Sequence, residues 1–241
     1  MEAQANIKES NLKTQKRFTV VLARPEKPEN IGLVARNMKN TGFKNLRLVS
    51  LLSLDPRCYL TAVHAKEVLE NARFYPTVAE ATADLDLVFA ATSKKRKIFT
   101  SFSLDEAVDK MLSFPPDTGI GLLFGNERTG LTSNELMYSN FRFTITQASS
   151  QPSYNLASAV LLTLYQIFKF NFTEQGVKKD RPLSRKQQEE FIQMMLSKLE
   201  KRKFIHSTNR EHITEMMCDL FGRITLSDKD RRLLLAIFSK I

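Results

Sequence analysis

Three polar segments of the sequence have residue types and spacing that suit ligand binding or catalysis. In the first, which runs from Pro28 to Gly42, Gly32 lies one helical turn before Arg36, so a ligand backbone could approach closely beside a guanidinium. Asn30 is expected to cap this helix and Gly42 to end it. Because glycine costs about 1 kcal/mol inside a helix relative to alanine, Gly32 indicates a packing or binding requirement. The alternative is a surface arginine on an amphipathic helix.

The second segment is a Gly-x4-Gly loop directly after the apolar run 120–124. A phosphate-binding loop requires lysine at the next position, where this chain has Leu131, and no G-x-G-x-x-G follows a predicted strand. These differences exclude a nucleotide triphosphatase and a dinucleotide site. What remains is a sharp loop at the carboxyl end of a strand, where open α/β sheets bind ligands. Within it, Glu127 and Arg128 are expected to pair with each other, or Glu127 to meet another cation.

The third segment, residues 149–158, precedes a long apolar helix. Ser153 and Asn155 lie beside the unpaired N–H groups of this helix terminus, which makes a polar cluster next to a hydrophobic base. Taken alone, the segment is explained by ordinary helix capping.

The three segments together resemble the SpoU/TrmH family of RNA 2′-O-ribose methyltransferases. The matching motifs are N-x-G-x-x-x-R from Asn30 to Arg36, F-G-N-E-x-x-G-L at 124–131 and P-S-x-N-L-A-x-A at 152–159. They occur in this order within residues 17–170. The resemblance implies a SPOUT fold, which is a parallel sheet with a C-terminal trefoil knot, and it implies a homodimer.

The C-terminal part of the chain is similar to the TrmJ-type tRNA methyltransferases. Gly222 and the closing run 231–235 carry this finer resemblance, whereas Asn126 stands where that type is expected to have a basic residue. The implied target is the 5′-most nucleotide of the tRNA anticodon loop, cytidine or uridine 32. Methylation of another tRNA or rRNA site is the alternative.

The resemblance also implies S-adenosylmethionine as the cofactor, held mainly by backbone groups. Its implied neighbours are Thr92, Ser93, Gly125, Ile145, Pro152, Ser153 and Tyr154.

The implied catalytic residues are Arg36, Asn30, Ser153 and Asn155. Arg36 matches the arginine to which the family's catalysis is attributed. Since a guanidinium stays protonated in proteins, a phosphate clamp that stabilises the developing alkoxide suits Arg36 better than the role of base. The other three side chains would orient Arg36 and the ribose. The candidates for RNA binding are Lys39, Lys95, Lys97 and Arg128, although the run 94–97 is equally consistent with a solvated charged loop.

The apolar pattern predicts an α/β domain that positions these residues. Strands are expected at 18–23, 46–50, 87–92, 120–124 and 141–146, and helices at 31–41, 64–72, 104–112, 132–139 and 154–170. Strands that alternate with helices indicate a mostly parallel sheet covered on both faces. We therefore expect a methyltransferase domain over 1–170, a linker over 171–184 and a basic helical extension over 185–241. Its helices are predicted at 185–203, 208–222 and 227–240, with Ser184 and Ser227 as N-caps.

The charge of the chain favours a polyanionic partner. Its 241 residues carry 36 basic and 26 acidic side chains, a net charge of +10. Residues 178–241 hold 15 of the basic and 9 of the acidic side chains, which is +6. A basic appendage suits contact with RNA phosphates.

Other features restrict the function further. Cys58 and Cys218 are far apart in sequence, and the three histidines have no metal-ligand spacing, so we expect reduced thiols and chemistry without a metal. The sequence has no apolar run long enough to span a bilayer and no secretory signal, so a cytosolic location is expected. Two rival functions remain: a catalytically inactive RNA-binding module and a Rossmann-like metabolic enzyme.

Overall fold

The computed structural model describes residues 15–50, 54–93, 101–148, 153–170, 181–206 and 208–240. Seven strands form one sheet in the order β3-β2-β1-β6-β4-β7-β5, and every neighbouring pair is parallel. The strands are β1 (Phe18–Ala23), β2 (Asn45–Val49), β3 (Arg73–Tyr75), β4 (Leu87–Ala91), β5 (Phe102–Ser103), β6 (Ile120–Phe124) and β7 (Phe141–Thr144). The predicted parallel sheet is therefore confirmed.

Helices connect the strands and form the C-terminal extension. In chain order they are α1 (Pro28–Thr41), α2 (Arg57–Ala62), α3 (Lys66–Glu70), α4 (Val78–Thr82), α5 (Leu104–Leu112), α6 (Ser133–Leu136), α7 (Leu156–Phe170), α8 (Arg185–Lys201), α9 (Arg210–Arg223) and α10 (Asp228–Lys240). A 3₁₀ turn, Val63–Ala65, joins α2 to α3. The pattern did not predict α2, α4, β3 or β5. These elements are too short to show a period, because each has six residues or fewer.

Side chains on both faces of the sheet are buried, which explains the continuous apolar runs of its central strands. In β1, Val20 and Leu22 pack against α1, α5 and α7, while Val21 and Ala23 face the smaller core beside α4 and α6. Each of these four side chains is at most 1% exposed. A strand buried on both faces shows no polar alternation, as is usual in parallel sheets.

Gly32 packs α1 tightly against α2. A Cβ atom at Gly32 would lie 2.0 Å from the Cys58 carbonyl oxygen and 2.1 Å from Thr61 Oγ1. The expectation that Gly32 opens a path for a ligand backbone is therefore wrong, because the chain's own helix occupies that space. The packing alternative considered for this glycine is the correct one. Gly42 ends α1 as expected, with φ +82° and its N–H bonded to the Lys39 carbonyl.

The C-terminal helices dock on the amino edge of the sheet through a buried polar network. The Asn140 amide donates to Gln188 Oε1 over 2.6 Å, and Gln188 donates to the Phe221 carbonyl. The buried Arg185 guanidinium donates to the Met137 carbonyl and to Gln188 Oε1. Because Asn140, Arg185 and Gln188 are each at most 5% exposed, their hydrogen bonds restrict the docking geometry.

Residues at the ends of the extension helices behave as helix caps or as packing groups. Ser184 and Ser227 are N-caps, as predicted, and each forms a capping arrangement with the side chain three residues later. Of the predicted linker, 171–180 lies outside the described residues. In the described part, Arg181 pairs with Asp86 over 3.2 Å and Leu183 is buried in the core of the extension.

We predict that Gly32→Ala lowers the free energy of unfolding by about 2 kcal/mol or more, since overpacking against a backbone carbonyl outweighs the helix propensity gained. Gly119→Ala is the matched control, because its Cβ would make only ordinary contacts, the nearest at 3.6 Å. Denaturant unfolding of both variants measures the difference. Equal stability of the two variants would contradict this account of α1 packing.

Candidate active site at the carboxyl edge of the sheet

The three polar segments meet at the carboxyl ends of β1 and β6. Asn30 Nδ2 donates to Glu127 Oε1 over 2.9 Å, and Asn155 Nδ2 donates to Asn30 Oδ1 over 3.0 Å. One side chain from each segment thus takes part in a continuous series of hydrogen bonds. Parallel strands bring their carboxyl ends to one edge, which is why segments about 100 residues apart in sequence converge here.

The Glu127 carboxylate is the common acceptor at the end of this series of hydrogen bonds. Besides the Asn30 amide, it accepts the N–H groups of Glu26 at 2.9 Å and Lys27 at 3.2 Å. Burial raises the pKa of Glu127, but the hydrogen bonds from Glu26, Asn30 and Lys27 stabilise the ionised form and bring the pKa below its ordinary value. A negative charge therefore holds the start of α1 against the loop that follows β6.

Two expectations for these residues are wrong. Helix α1 begins at Pro28 with Lys27 at its N-cap position, so Asn30 is not the cap but a buried residue within the first turn. Among the described residues, Glu127 pairs neither with Arg128 nor with another cation; Arg128 instead lies 3.7 Å from Glu26. Three N–H donors, two of them backbone groups, satisfy the carboxylate, and sequence spacing gives no signal for such donors.

Asn155 begins α7 and also reaches α1. Its Oδ1 accepts the Ala157 N–H over 2.9 Å, so the ordinary capping role is confirmed, while its Nδ2 donates to Asn30. Asn37, two turns along α1 from Asn30, donates to the Ala157 carbonyl over 2.9 Å. The start of α7 is therefore fixed to α1 at two points.

The glycine loop after β6 is held in a compact form. Asn126 is 5% exposed, and its Oδ1 accepts the N–H groups of Arg128 and Thr129. A Cβ atom at Gly125 would lie 2.4 Å from Gly130 C, and Gly130 has φ +68°. The first glycine is needed for close approach and the second for a left-handed backbone. Asn126 therefore supports the loop from inside through hydrogen bonds to its main chain.

A cavity of about 170 Å³ lies between this loop and the start of α7. The residues predicted to hold the cofactor that line it are Thr92, Ser93, Gly125, Ile145, Ser153 and Tyr154. Pro152 lies outside the described residues. The phenol of Tyr154 donates to the Thr146 carbonyl over 3.0 Å, which ties the two chain segments on one side of the cavity together.

The composition of the cavity walls suits a cofactor held by backbone groups. Leu131, Ile145 and Leu156 provide an apolar surface, and Gly125 and Gly130 in the loop present main-chain groups without side chains. An aromatic base and a ribose need these two kinds of contact, so the residues present fit the implied cofactor.

The basic candidates lie on the surface around the site. Arg36 is exposed and has no hydrogen bond or ion pair among the described residues, and the contacts found do not join it to Asn30, Ser153 or Asn155. Lys39 donates to the His64 carbonyl over 2.6 Å and lies 3.3 Å from Glu67.

The remaining expectations concern two lysines, metal binding and the cysteines. Lys95 and Lys97 lie outside the described residues. Within the described part of the chain, no group of three His, Cys, Asp or Glu side chains is placed to hold a metal ion, and both cysteines are free thiols. No helix in that part is long and apolar enough to cross a membrane.

We predict that Glu127→Gln weakens the acid sensitivity of folding. A carboxylate with a depressed pKa stabilises the folded state above its unfolded-state pKa of about 4.3 and loses this contribution as the pH falls through the folded-state pKa. The free energy of unfolding of the wild type should therefore fall more steeply than that of Glu127→Gln between about pH 5 and pH 3. Asn30→Ala, which removes one of three donors, should give an intermediate slope. Parallel curves for all three proteins would contradict the role given to this carboxylate.

Similarity to known proteins agrees with this geometry. Residues 17–165 match the SpoU rRNA Methylase family. The tRNA (cytidine-2'-O-)-methyltransferase TrmJ of Methanocaldococcus jannaschii is 31% identical over 230 residues, which cover 92% of this chain and 98% of the relative. The tRNA (cytidine/uridine-2'-O-)-methyltransferase TrmJ of Salmonella typhimurium is 33% identical over 150 residues, or 61% of this chain and 62% of that protein.

A solved structure extends the similarity to the C-terminal helices. The crystal structure of TrmJ from Z. mobilis ZM4 superposes with a TM-score of 0.78 at 29% identity, and the match covers 92% of this chain and 97% of that one. The three motifs, their meeting point and the family match over more than half of the chain agree, and the chain belongs to the SpoU rRNA methylase family.

Proposed function

We propose that the protein transfers a methyl group from S-adenosylmethionine to a ribose 2′-OH of tRNA. The observation that carries the proposal is the pair of hydrogen bonds from Asn155 to Asn30 and from Asn30 to Glu127. These bonds connect the three family motifs beside the cavity that the expected cofactor neighbours line. The relative from Methanocaldococcus jannaschii, which this chain covers over 98% of its length, is named a tRNA 2'-O-methyltransferase and supports tRNA as the substrate.

The chain's own residues have three tasks in this reaction. S-adenosylmethionine supplies a methyl group already activated by a sulfonium, so the protein must orient the ribose oxygen, help its proton leave and exclude water. Thr92, Gly125 and Ile145 would hold the cofactor along the cavity wall.

The polar groups at the mouth of the cavity would hold the RNA. Asn155 and Ser153 would orient the ribose, with Asn30 and Glu127 fixing Asn155 in place. The unpaired guanidinium of Arg36 would bind a phosphate of the target nucleotide and stabilise the developing alkoxide. A guanidinium remains protonated in proteins, so this role suits Arg36 better than that of general base.

The target we propose is cytidine or uridine 32, the 5′-most nucleotide of the anticodon loop. The names of the two TrmJ relatives, one specifying cytidine and the other cytidine or uridine, support a pyrimidine. The alternatives are another tRNA site and an rRNA site, and the names of the two relatives favour tRNA over rRNA.

A methylation assay with labelled S-adenosylmethionine separates these functions. The full-length protein should label bulk tRNA, and nuclease mapping should place the label at position 32. Label found only in rRNA would support the alternative target. Cofactor and tRNA binding without transfer to any RNA would identify an inactive binding module.

The resemblance also leads us to propose a trefoil knot, a homodimer and a cytoplasmic location. The exposed apolar side chains of α7, Leu161, Leu162 and Tyr165, suit a subunit contact. Sedimentation of the full-length protein tests the dimer.

Substitution of Arg36 tests its assigned role. We predict that Arg36→Ala lowers the turnover number by about a hundredfold or more, because the phosphate clamp is lost, while the affinity for S-adenosylmethionine is unchanged. Arg36→Lys should retain part of the activity, since lysine keeps the charge but not the planar fork. Turnover of Arg36→Ala within about threefold of the wild type would refute the role.

The basic surface of the extension gives a second prediction. Lys201, Arg202 and Lys203 are exposed and have no carboxylate partner among the described residues. Replacing all three with Gln should weaken tRNA binding and lower the slope of log affinity against log salt by about 2, since each neutralised phosphate contributes about 0.7 to 0.9.

The matched control is the triple replacement of Arg210, Arg223 and Arg232 with Gln. Arg210 pairs with Glu200 and Arg223 with Asp219, while Arg232 shares Asp228 with Arg231, so each of the three already has a carboxylate within ion-pair distance. The control should change the slope less. Equal effects of the two triple variants would show that the unpaired cluster has no special part in RNA binding.

A further inference from the structure

Arg24 follows β1 directly and has an unusual backbone conformation. Its φ is +52°, in the left-handed region that favours glycine, and a residue with a Cβ atom pays about 1 kcal/mol or more to remain there. Such a conformation persists only where the surroundings fix it. The contacts of Arg24 show what fixes it.

The guanidinium of Arg24 makes a two-pronged contact with Glu135. Nε donates to Oε1 over 2.6 Å and Nη2 to Oε2 over 2.8 Å. Nη2 also lies 3.2 Å from the Gly130 carbonyl oxygen, to which it donates. Glu135 in turn accepts the Thr132 N–H over 2.7 Å at the start of α6. The side chain of Arg24 therefore fixes the end of the glycine loop.

The main chain of Arg24 fixes the beginning of the same loop. Its carbonyl oxygen accepts the Asn126 amide over 2.8 Å, and the other end of that amide organises the turn. The two ends of loop 125–131 are thus attached to one residue. All seven residues of this loop line the cavity assigned to the cofactor, so the shape of the loop determines the shape of the cavity.

We propose that Arg24 is a positioning residue for cofactor binding, which holds loop 125–131 in the form that accepts S-adenosylmethionine before the cofactor arrives. The inference rests on the function proposed above and assigns to Arg24 a part distinct from that of the RNA-binding groups. Both prongs of its fork are occupied by the protein's own carboxylate. A preorganised loop avoids the ordering cost at the moment of binding, so loss of the fork should appear first in cofactor affinity.

The test compares Arg24→Lys with Arg57→Lys in the full-length protein. Lysine keeps the charge but cannot make the fork. Arg57 is the matched control, because it makes a similar fork with Asp55, at 3.0 and 2.9 Å, on the exposed start of α2. It also lies 3.5 Å from Glu29, but it is not among the residues that line the cavity. Calorimetry with S-adenosylmethionine and steady-state kinetics with tRNA give the readouts.

We expect Arg24→Lys to raise the cofactor Kd and the cofactor KM by about tenfold, as expected for loss of one charge-assisted hydrogen bond. The turnover number at saturating cofactor and the KM for tRNA should stay within about twofold of the wild type. Arg57→Lys should change none of these quantities. If Arg24→Lys fails to fold, Glu135→Gln, which keeps the acceptor for Thr132, should raise the cofactor Kd in the same direction.

Two results would overturn the inference. A higher KM for tRNA with an unchanged cofactor Kd would make Arg24 an RNA contact. An unchanged cofactor Kd together with a lower melting temperature would make it a structural residue only. Failure of the proposed function is distinguishable, because then the wild-type protein itself would not bind S-adenosylmethionine.

Discussion

The Glu127 carboxylate is the constraint on which the rest of the site depends. It accepts hydrogen bonds from two backbone N–H groups before α1 and from the Asn30 amide. The Asn30 Oδ1 in turn accepts a hydrogen bond from the Asn155 amide. A half-buried negative charge would be costly without these donors, and the donors would lack this acceptor without the charge. Each part therefore fixes the others. The result is a rigid frame at the carboxyl edge, beside a cavity whose other wall is the glycine loop.

The arginines around this frame differ in how they are engaged. Arg24, Arg57 and Arg128 each have a carboxylate of the protein within ion-pair distance, whereas Arg36 has none among the described residues. A guanidinium that is already hydrogen-bonded to a carboxylate must break those bonds before it can bind another anion, and this costs free energy. An exposed unpaired guanidinium is available to an incoming phosphate. This difference separates Arg36 from its neighbours more clearly than residue type does.

The C-terminal extension lies at the opposite edge of the sheet. Helix α7 (Leu156–Phe170) follows Asn155, beside the candidate site, whereas Arg181 pairs with Asp86 at the amino end of β4. The buried Arg185 and Gln188 then fix α8 to the sheet. Because this docking is polar and buried, it sets one orientation of the basic helices relative to the site.

The sequence by itself determined the α/β class, the five longer strands, the helical extension and the family. Strands such as β1 and β6 are continuous apolar runs because both faces are buried, and the family motifs are local strings that need no folding to be read. The expected cofactor neighbours Gly125, Ile145 and Tyr154, carried over from the resemblance, line one cavity.

Only the tertiary structure decided which groups satisfy one another. In the structure, Gly32 packs against α2, and Asn30 is a buried hydrogen-bonded residue rather than a helix cap. Glu127 accepts backbone N–H groups where the sequence predicted a cation. Both ends of the glycine loop are attached to Arg24. Hydrogen bonds between residues about 100 positions apart depend on how the chain is brought together, and backbone N–H groups are the same at every residue except proline. For this reason sequence spacing carried no signal for these contacts.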